Sequence, residues 1–238
     1  MPYFFYGIIF LTLQFKNLKM AIILNLETAT KNCSVALAKE GALIASKEIA
    51  EQHFSHAEKL HVFIEKLLNE NQLQFCDLSA IAVSQGPGSY TGLRIGVSSA
   101  KGFCYALNIP LIAIDTLQLL AKQIQIEDGI IIPMIDARRM EVFTAIYDKN
   151  HHQIRSTQAE IIDEKSYQDI LDTIHLVGDG TEKFKNTLLA DKFVFHSEVI
   201  FPSSKEMCEL SFDKYKKSDF VDVAYFEPYY LKDFVLVK

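Results

Sequence analysis

The run Ser84-Gln85-Gly86-Pro87-Gly88-Ser89-Tyr90-Thr91-Gly92-Leu93-Arg94-Ile95-Gly96 carries the densest chemical signal in the chain. Five of the ten glycines fall between residues 86 and 102. A strand, a glycine turn and a helix start, in that order, can aim backbone N–H groups at an anion such as a phosphate. The turn is not a Walker A loop, because no Gly-Lys-Ser/Thr follows. Ser89 is not a nucleophile-elbow serine either, since residue 87 is proline rather than glycine. Tight turning and close packing account for the same glycines without a ligand. Gly92, Gly96 and Ala100 recur four apart, along one stripe of a helix, where another element can approach closely. A glycine inside a helix costs about 0.5–1 kcal/mol against alanine, so packing must offset it.

Histidines and carboxylates give weaker signals. His53, His56 and His61 are three and five residues apart, poor spacings for one helix face, and no HExxH is present. Surface or capping roles suit them better than a metal, and His151-His152 falls in an expected turn. A ribonuclease-H-type nuclease holds its metal ions with carboxylates from the first strand, first helix and fourth strand. Glu27 follows strand one and Glu58 or Glu65 lies on the helix, but the fourth strand ends in Ser84-Gln85. A two-metal nuclease is therefore excluded as a working reading, and no catalytic residue is assigned.

The elements that position these residues can be read from periodicity. Residues 20–26, 32–38 and 42–49 read as three strands, with a tight turn at Glu40-Gly41. Ser55 and Glu58 form a capping box ahead of Leu60, Phe63, Ile64, Leu67 and Leu68, an amphipathic helix. Strand 80–83, a helix to Leu107, strand 111–114 and a helix over 116–125 capped by Asp115 follow. The order β-β-β-α-β-α-β-α predicts a ribonuclease-H-like α/β sandwich. The second half repeats the theme less clearly. Strands are expected at 129–135, 141–147, 153–162 and 175–177, and helices at 164–173, 180–190 and 203–216. Helix 92–107 is apolar over so much of its surface, at Leu93, Val97, Phe103, Cys104 and Leu107, that one sheet cannot cover it.

Composition narrows the function classes. The chain has 238 residues, 49% apolar and 23% charged, enough to bury a core without staples. Its net charge is −6, and the acidic excess lies beyond residue 110, where 15 Lys/Arg face 22 Asp/Glu. A nucleic-acid binder acting alone should carry a basic face, and the lone basic cluster, Lys214, Lys216 and Lys217, suits a solvated helix. Cys33, Cys76, Cys104 and Cys208 show no CxxC pairing and are expected as buried thiols of a reducing cytoplasm. Residues 3–13 are apolar but lack a preceding Lys or Arg and a following cleavage site, and are too short to span a bilayer. Met20 is read as the true start and residues 1–19 as an upstream extension, followed by a first lobe over 20–112 and a diverged second lobe over 113–238.

Several segments together resemble the bacterial TsaB (YeaZ) family, which supports synthesis of threonylcarbamoyladenosine in tRNA. They are residues 24–30 (Leu-Asn-Leu-Glu-Thr-Ala-Thr), the run from Gly86 to Gly102, and Asp136-Ala137-Arg138-Arg139-Met140-Glu141-Val142-Phe143. Gly178-Asp179-Gly180 and Pro228-Tyr229-Tyr230-Leu231-Lys232 complete the set, so the likeness spans residues 20–232. The resemblance implies a two-lobed ASKHA fold (actin, sugar kinase, Hsp70). It also implies a non-catalytic cytoplasmic subunit that pairs with the catalytic paralogue TsaD, works with the ATPase TsaE, and dimerises with itself when TsaD is absent. Contact with tRNA would come only through the complex. The metal-binding histidine pair of TsaD is missing from Ile114-Asp115-Thr116-Leu117-Gln118-Leu119-Leu120. The turns Glu27-Thr28-Ala29 and Asp136-Ala137-Arg138 lack the glycine of an ATPase phosphate turn. No cofactor is expected, and nucleotide binding is expected to be weak or absent. The implied partner interface is Leu60, Phe63, Ile64 and Leu67 with Gly92, Leu93, Gly96, Val97, Ala100 and Phe103. The competing readings are an ASKHA-fold ATPase or kinase and a metallopeptidase-like enzyme.

Overall fold

A computed structural model describes residues 20–50 and 56–232. The segment before Met20, His53 and the Ser55 end of the capping box lie outside the described residues. The first half builds β1 (Ile22–Glu27), β2 (Asn32–Lys39), β3 (Ala42–Ala50), α1 (His56–Glu70), β4 (Ala80–Gly86), α2 (Tyr90–Leu107), β5 (Leu111–Asp115) and α3 (Thr116–Ala121). The second builds β6 (Ile130–Asp136), β7 (Glu141–Asp148), β8 (Gln153–Ile161), β9 (Ile174–Val177), β10 (Phe193–Phe195) and α4 (Met207–Lys216).

Both halves follow one topological plan. The first sheet runs β3-β2-β1-β4-β5, with β1–β2 and β2–β3 antiparallel and β1–β4 and β4–β5 parallel. The second sheet, β8-β7-β6-β9-β10, repeats that order and those directions strand for strand. The fold is thus a duplicated ribonuclease-H-like unit, the two-lobed ASKHA architecture. Every residue of the unbroken run Ile22–Glu27 is buried, as a central strand covered on both faces requires.

The lobes are tied by an exchange of helices. β5 runs past residue 112 to Asp115, whose side chain caps α3 by accepting from the Leu117 and Gln118 amides. α3 then leaves the first sheet and packs Leu117, Leu120 and Ala121 against Ile131, Ile135 and Phe143 of the second. In return α4 lays Met207, with Leu210 and Phe212, on Ile23, Ala82, Ile112 and Ile114 of the first sheet. The other face of that sheet is covered by α1 and α2 through Leu60, Ile64, Leu67, Val97 and Ala100.

The second lobe departs from the expected helices. Residues 164–169 form turns, because Asp163 Oδ1 accepts from the Lys165 amide and the Ser166 hydroxyl, and Tyr167 is left-handed at φ 65°. Leu171, which a packed helix would bury, is 93% exposed. Residues 180–190 keep a single 3₁₀ turn, Glu182–Phe184, and α3 stops at Ala121 rather than at residue 125. These turns occupy the positions that α1 and α2 hold in the first lobe, so the duplication keeps its strands and loses its helices. No disulfide joins the four cysteines; Cys33, Cys104 and Cys208 are buried, whereas Cys76 is exposed, against expectation.

Candidate functional site

In an α/β sheet a ligand site forms beyond the carboxyl ends of the parallel strands. Here those ends bring together Glu27 after β1, the glycine turn after β4 and Asp115 after β5. The glycine turn is used up by packing. The Ser89 amide donates to the Ala29 carbonyl (2.6 Å), and Ser89 Oγ accepts from the Gly92 amide. A Cβ on Gly88 would collide with the Ala29 carbonyl, one on Gly92 with the Thr28 carbonyl, and one on Gly96 with Thr28 Oγ1. Thr28 Oγ1 donates to the Gly92 carbonyl at 2.8 Å and closes the contact. The turn from 86 to 96 therefore seats α2 on residues 28–29.

Glu27 is fully buried. Burial pushes its carboxyl up to about 7, against opposing hydrogen bonds led by the Ala29 amide, and the Glu206 charge adds to the rise. At neutral pH much of this carboxyl therefore carries a proton. In the second lobe, Asp136 is engaged by Lys183 and by the Arg138 amide, and the Asp136 amide donates to Asp179. Arg138 and Arg139 are both left-handed, at φ 72° and 53°, which holds the turn without the glycine of a phosphate loop. The carboxyl-terminal strap 227–232 then crosses both lobes. The Tyr229 amide donates to the Gln85 carbonyl at 2.7 Å, the Tyr230 ring lies against Tyr90 at a 40° tilt, and Lys232 pairs with Glu141. Between strap and β8 remains an open concavity of about 650 Å³ lined by Gln85, Asp115, Gln153, Thr157, Glu227 and Tyr229. Asp115 inside it already accepts from two amides and lies beside the Tyr147 hydroxyl.

No group of three or more His, Cys, Asp or Glu among the described residues could hold a metal ion. His56 is buried with Nε2 2.7 Å from the Thr30 carbonyl, and His61 faces the Phe103 ring. Both serve packing.

The ten residues implied as a partner interface divide sharply. Leu60, Ile64, Leu67, Gly92, Leu93, Gly96, Val97 and Ala100 are all buried inside the subunit. Within the subunit, Gly92 and Gly96 of the small-residue stripe face Thr28, with Val83 beside Gly96. Phe63 and Phe103 are only partly buried. Phe103 stacks on Phe75 at 5.2 Å between α1 and α2, at the centre of a surface that sequence spacing missed. Phe75 is 37% exposed, and Val62 on α1 (42%) and Tyr105 on α2 (86%) are exposed on the same two helices. A shallow groove lined by Lys101, Gly102, Tyr105, Asp222, Val223 and Ala224 borders it. Val62 lies off the apolar stripe of α1 and Phe75 follows the helix; neither position belongs to a periodic pattern.

Comparison with known proteins places this arrangement. A family described as TsaD, tRNA N6-adenosine threonylcarbamoyltransferase, matches residues 44–225. The tRNA threonylcarbamoyladenosine biosynthesis protein TsaB of Escherichia coli is 29% identical over 226 residues, covering 91% of this chain and 96% of its own. TsaB of Buchnera aphidicola subsp. Baizongia pistaciae is 30% identical over 198 residues, covering 79% and 87%. The structure of YeaZ from Pseudomonas aeruginosa superposes with a TM-score of 0.75 at 24% identity, over 89% of this chain and all of that one, and shares the fold. On the duplicated topology, the packed glycine run and these likenesses, the chain belongs to the TsaB (YeaZ) family of tRNA threonylcarbamoyladenosine biosynthesis proteins.

Proposed function

We propose that the chain is a non-catalytic subunit of the machinery that installs threonylcarbamoyl groups on tRNA adenosine, acting by binding and activating a TsaD subunit together with TsaE. The carrying observation is the state of the cleft. The Ser89 and Gly92 amides of its glycine turn donate to the chain's own oxygens, its β1 carboxyl is buried with a raised pKa, and Asp136 is tied to Lys183. These groups are engaged within the fold. Exposed apolar side chains on the α1 and α2 side of the first lobe lie outside the cleft. The aromatic surface of Phe103, Phe75, Val62 and Tyr105 is the proposed contact for TsaD, and for a second copy when TsaD is absent. Aromatic residues at the centre of an interface contribute most to affinity. Work on tRNA in the cytoplasm fits a chain whose described helices are none of them long and apolar enough to cross a membrane.

The test is a reconstituted reaction with TsaD, TsaE, ATP and tRNA, run with and without this chain. Threonylcarbamoylated tRNA is expected only when the chain is present, and the chain alone should hydrolyse no ATP. Steady ATP turnover by the chain alone, lost in Glu27→Gln or Asp136→Asn, would instead make it an enzyme in its own right.

A further inference from the structure

Among the described residues the chain passes between the lobes three times. β5 hands over to α3, residues 199–206 lead back to α4, and the strap 227–232 crosses last. The first two crossings run into helices packed on a sheet, whereas the strap is gripped unequally at its two ends. On the first lobe the Tyr229 amide donates to the Gln85 carbonyl at 2.7 Å. Gly86 has φ 115°, and a Cβ there would stand 2.7 Å from the Tyr229 carbonyl oxygen, so the turn is shaped to receive the strap. The Arg94 guanidinium lies over the Tyr90 ring at 4.1 Å and donates from Nε to the Tyr230 hydroxyl at 3.2 Å. On the second lobe the grip is lighter. Leu231, only partly buried, packs on the cluster that holds Ile135 and Phe143, and Lys232 pairs with Glu141. The two charged side chains keep 40% and 23% of their surface exposed, and such a pair adds little on its own.

We infer that residues 227–232 are an interlobe latch, anchored on the first lobe through Tyr229 and Tyr230 and released at the second through Leu231 and Lys232. Lobes joined by linking segments can rotate about the few residues at the ends of those segments. A third tie that lets go at one end decides whether they do. Closed, the strap walls the concavity of about 650 Å³ that it shares with Gln153 and Thr157 of β8. Lifting the end at Leu231 and Lys232 widens that concavity and the way to Asp115 within it. The anchored end stays in place, because its backbone hydrogen bond and ring contacts are all with the first lobe. The latch does not rest on the partner docking proposed above.

The experiment spin-labels the full chain at Glu65→Cys on α1 and Leu171→Cys in the second lobe, with Cys76→Ser, and measures the distance distribution between the labels. Glu65 and Leu171 are exposed, and the three remaining cysteines are buried. The parent should give a single narrow distribution. Lys232→Glu and Leu231→Ala should each add a second, longer-distance population. Combining Lys232→Glu with Glu141→Lys restores opposite charges and should restore the narrow distribution. Tyr225→Ala, at a ring that is 86% exposed just before the strap, should change nothing. Melting temperatures taken on every variant show that each is folded. Lys232 and Glu141 both reach solvent, so the charge swap reports even if Leu231→Ala folds poorly. An unshifted distribution in Lys232→Glu, or no recovery in the charge swap, would overturn the latch and leave the lobe angle to the exchanged helices alone.

Discussion

Two glycines of the same helix should respond in opposite directions to the same substitution. Gly96→Ala places a methyl group on Thr28 Oγ1, whereas Gly102→Ala meets nothing within 4 Å. Thr28 is fully buried, and turning its hydroxyl away gives up the bond to the Gly92 carbonyl, about 0.5–1.5 kcal/mol. Overpacking adds about 1–3 kcal/mol. Helix propensity returns about 0.5–1 kcal/mol in both variants. The net loss at Gly96 is therefore about 0.5–4 kcal/mol, and the gain at Gly102 about 0.5–1 kcal/mol. At about 2–4 °C per kcal/mol for a chain of this size, Tm should fall by about 1–16 °C in one variant and rise by about 1–4 °C in the other. Thermal melts by circular dichroism measure both. Thr28→Ala removes the obstructing oxygen, so the double variant with Gly96→Ala should lose less than the sum of the two single changes. Equal shifts at Gly96 and Gly102, or strict additivity with Thr28→Ala, would refute the claim that the stripe packs on β1's exit turn.

Two further outcomes concern stability. Glu27 has a folded pKa of about 7 against an ordinary 4.5, so the folded state binds more protons than the unfolded one between these values. Stability should fall as pH rises from 4.5 to about 7 and then level, by an amount on the order of 3 kcal/mol if the whole shift is expressed. Glu27→Gln should flatten that slope and melt higher than the parent at pH 8; an unchanged slope in urea titrations would contradict the burial argument. A chain starting at Met20 should melt within about 2 °C of the full sequence, because β1 begins at Ile22 and pairs with β2 and β4 from its first residues. A larger drop would show that residues 1–19 contribute to the fold.

The first lobe was legible because its signals are local. The buried stretch 22–27, the stripe of α1 and the Asp115 cap each sit within one element, and all formed as expected. The second lobe was not, because its helical positions hold turns fixed by single contacts such as Asp163 with Ser166 and by a left-handed Tyr167. Spacing also found the stripe of Gly92, Gly96 and Ala100 but could not say which surface it meets. The answer lies some 64 positions away in Thr28, whose hydroxyl reaches the Gly92 carbonyl. Phe103 was expected at the partner interface, but Phe75, which stacks on it, and the exposed Val62 lie outside the periodic pattern. The seat of the strap is likewise created only by the fold, which brings Tyr229 to Gln85 and Lys232 to Glu141.

The central claim is that this subunit works by docking its outer helical surface on TsaD. Its most direct test is the affinity for purified TsaD of the parent chain and of a Val62→Glu/Tyr105→Glu double variant, with melting temperatures taken on both. Both side chains are exposed, so the variant should keep the parent's Tm. A saturable complex for the parent and an affinity at least tenfold weaker for the variant, about 1.4 kcal/mol or more, is the predicted result. Failure of the parent to bind TsaD, or equal binding by a folded double variant, would contradict it.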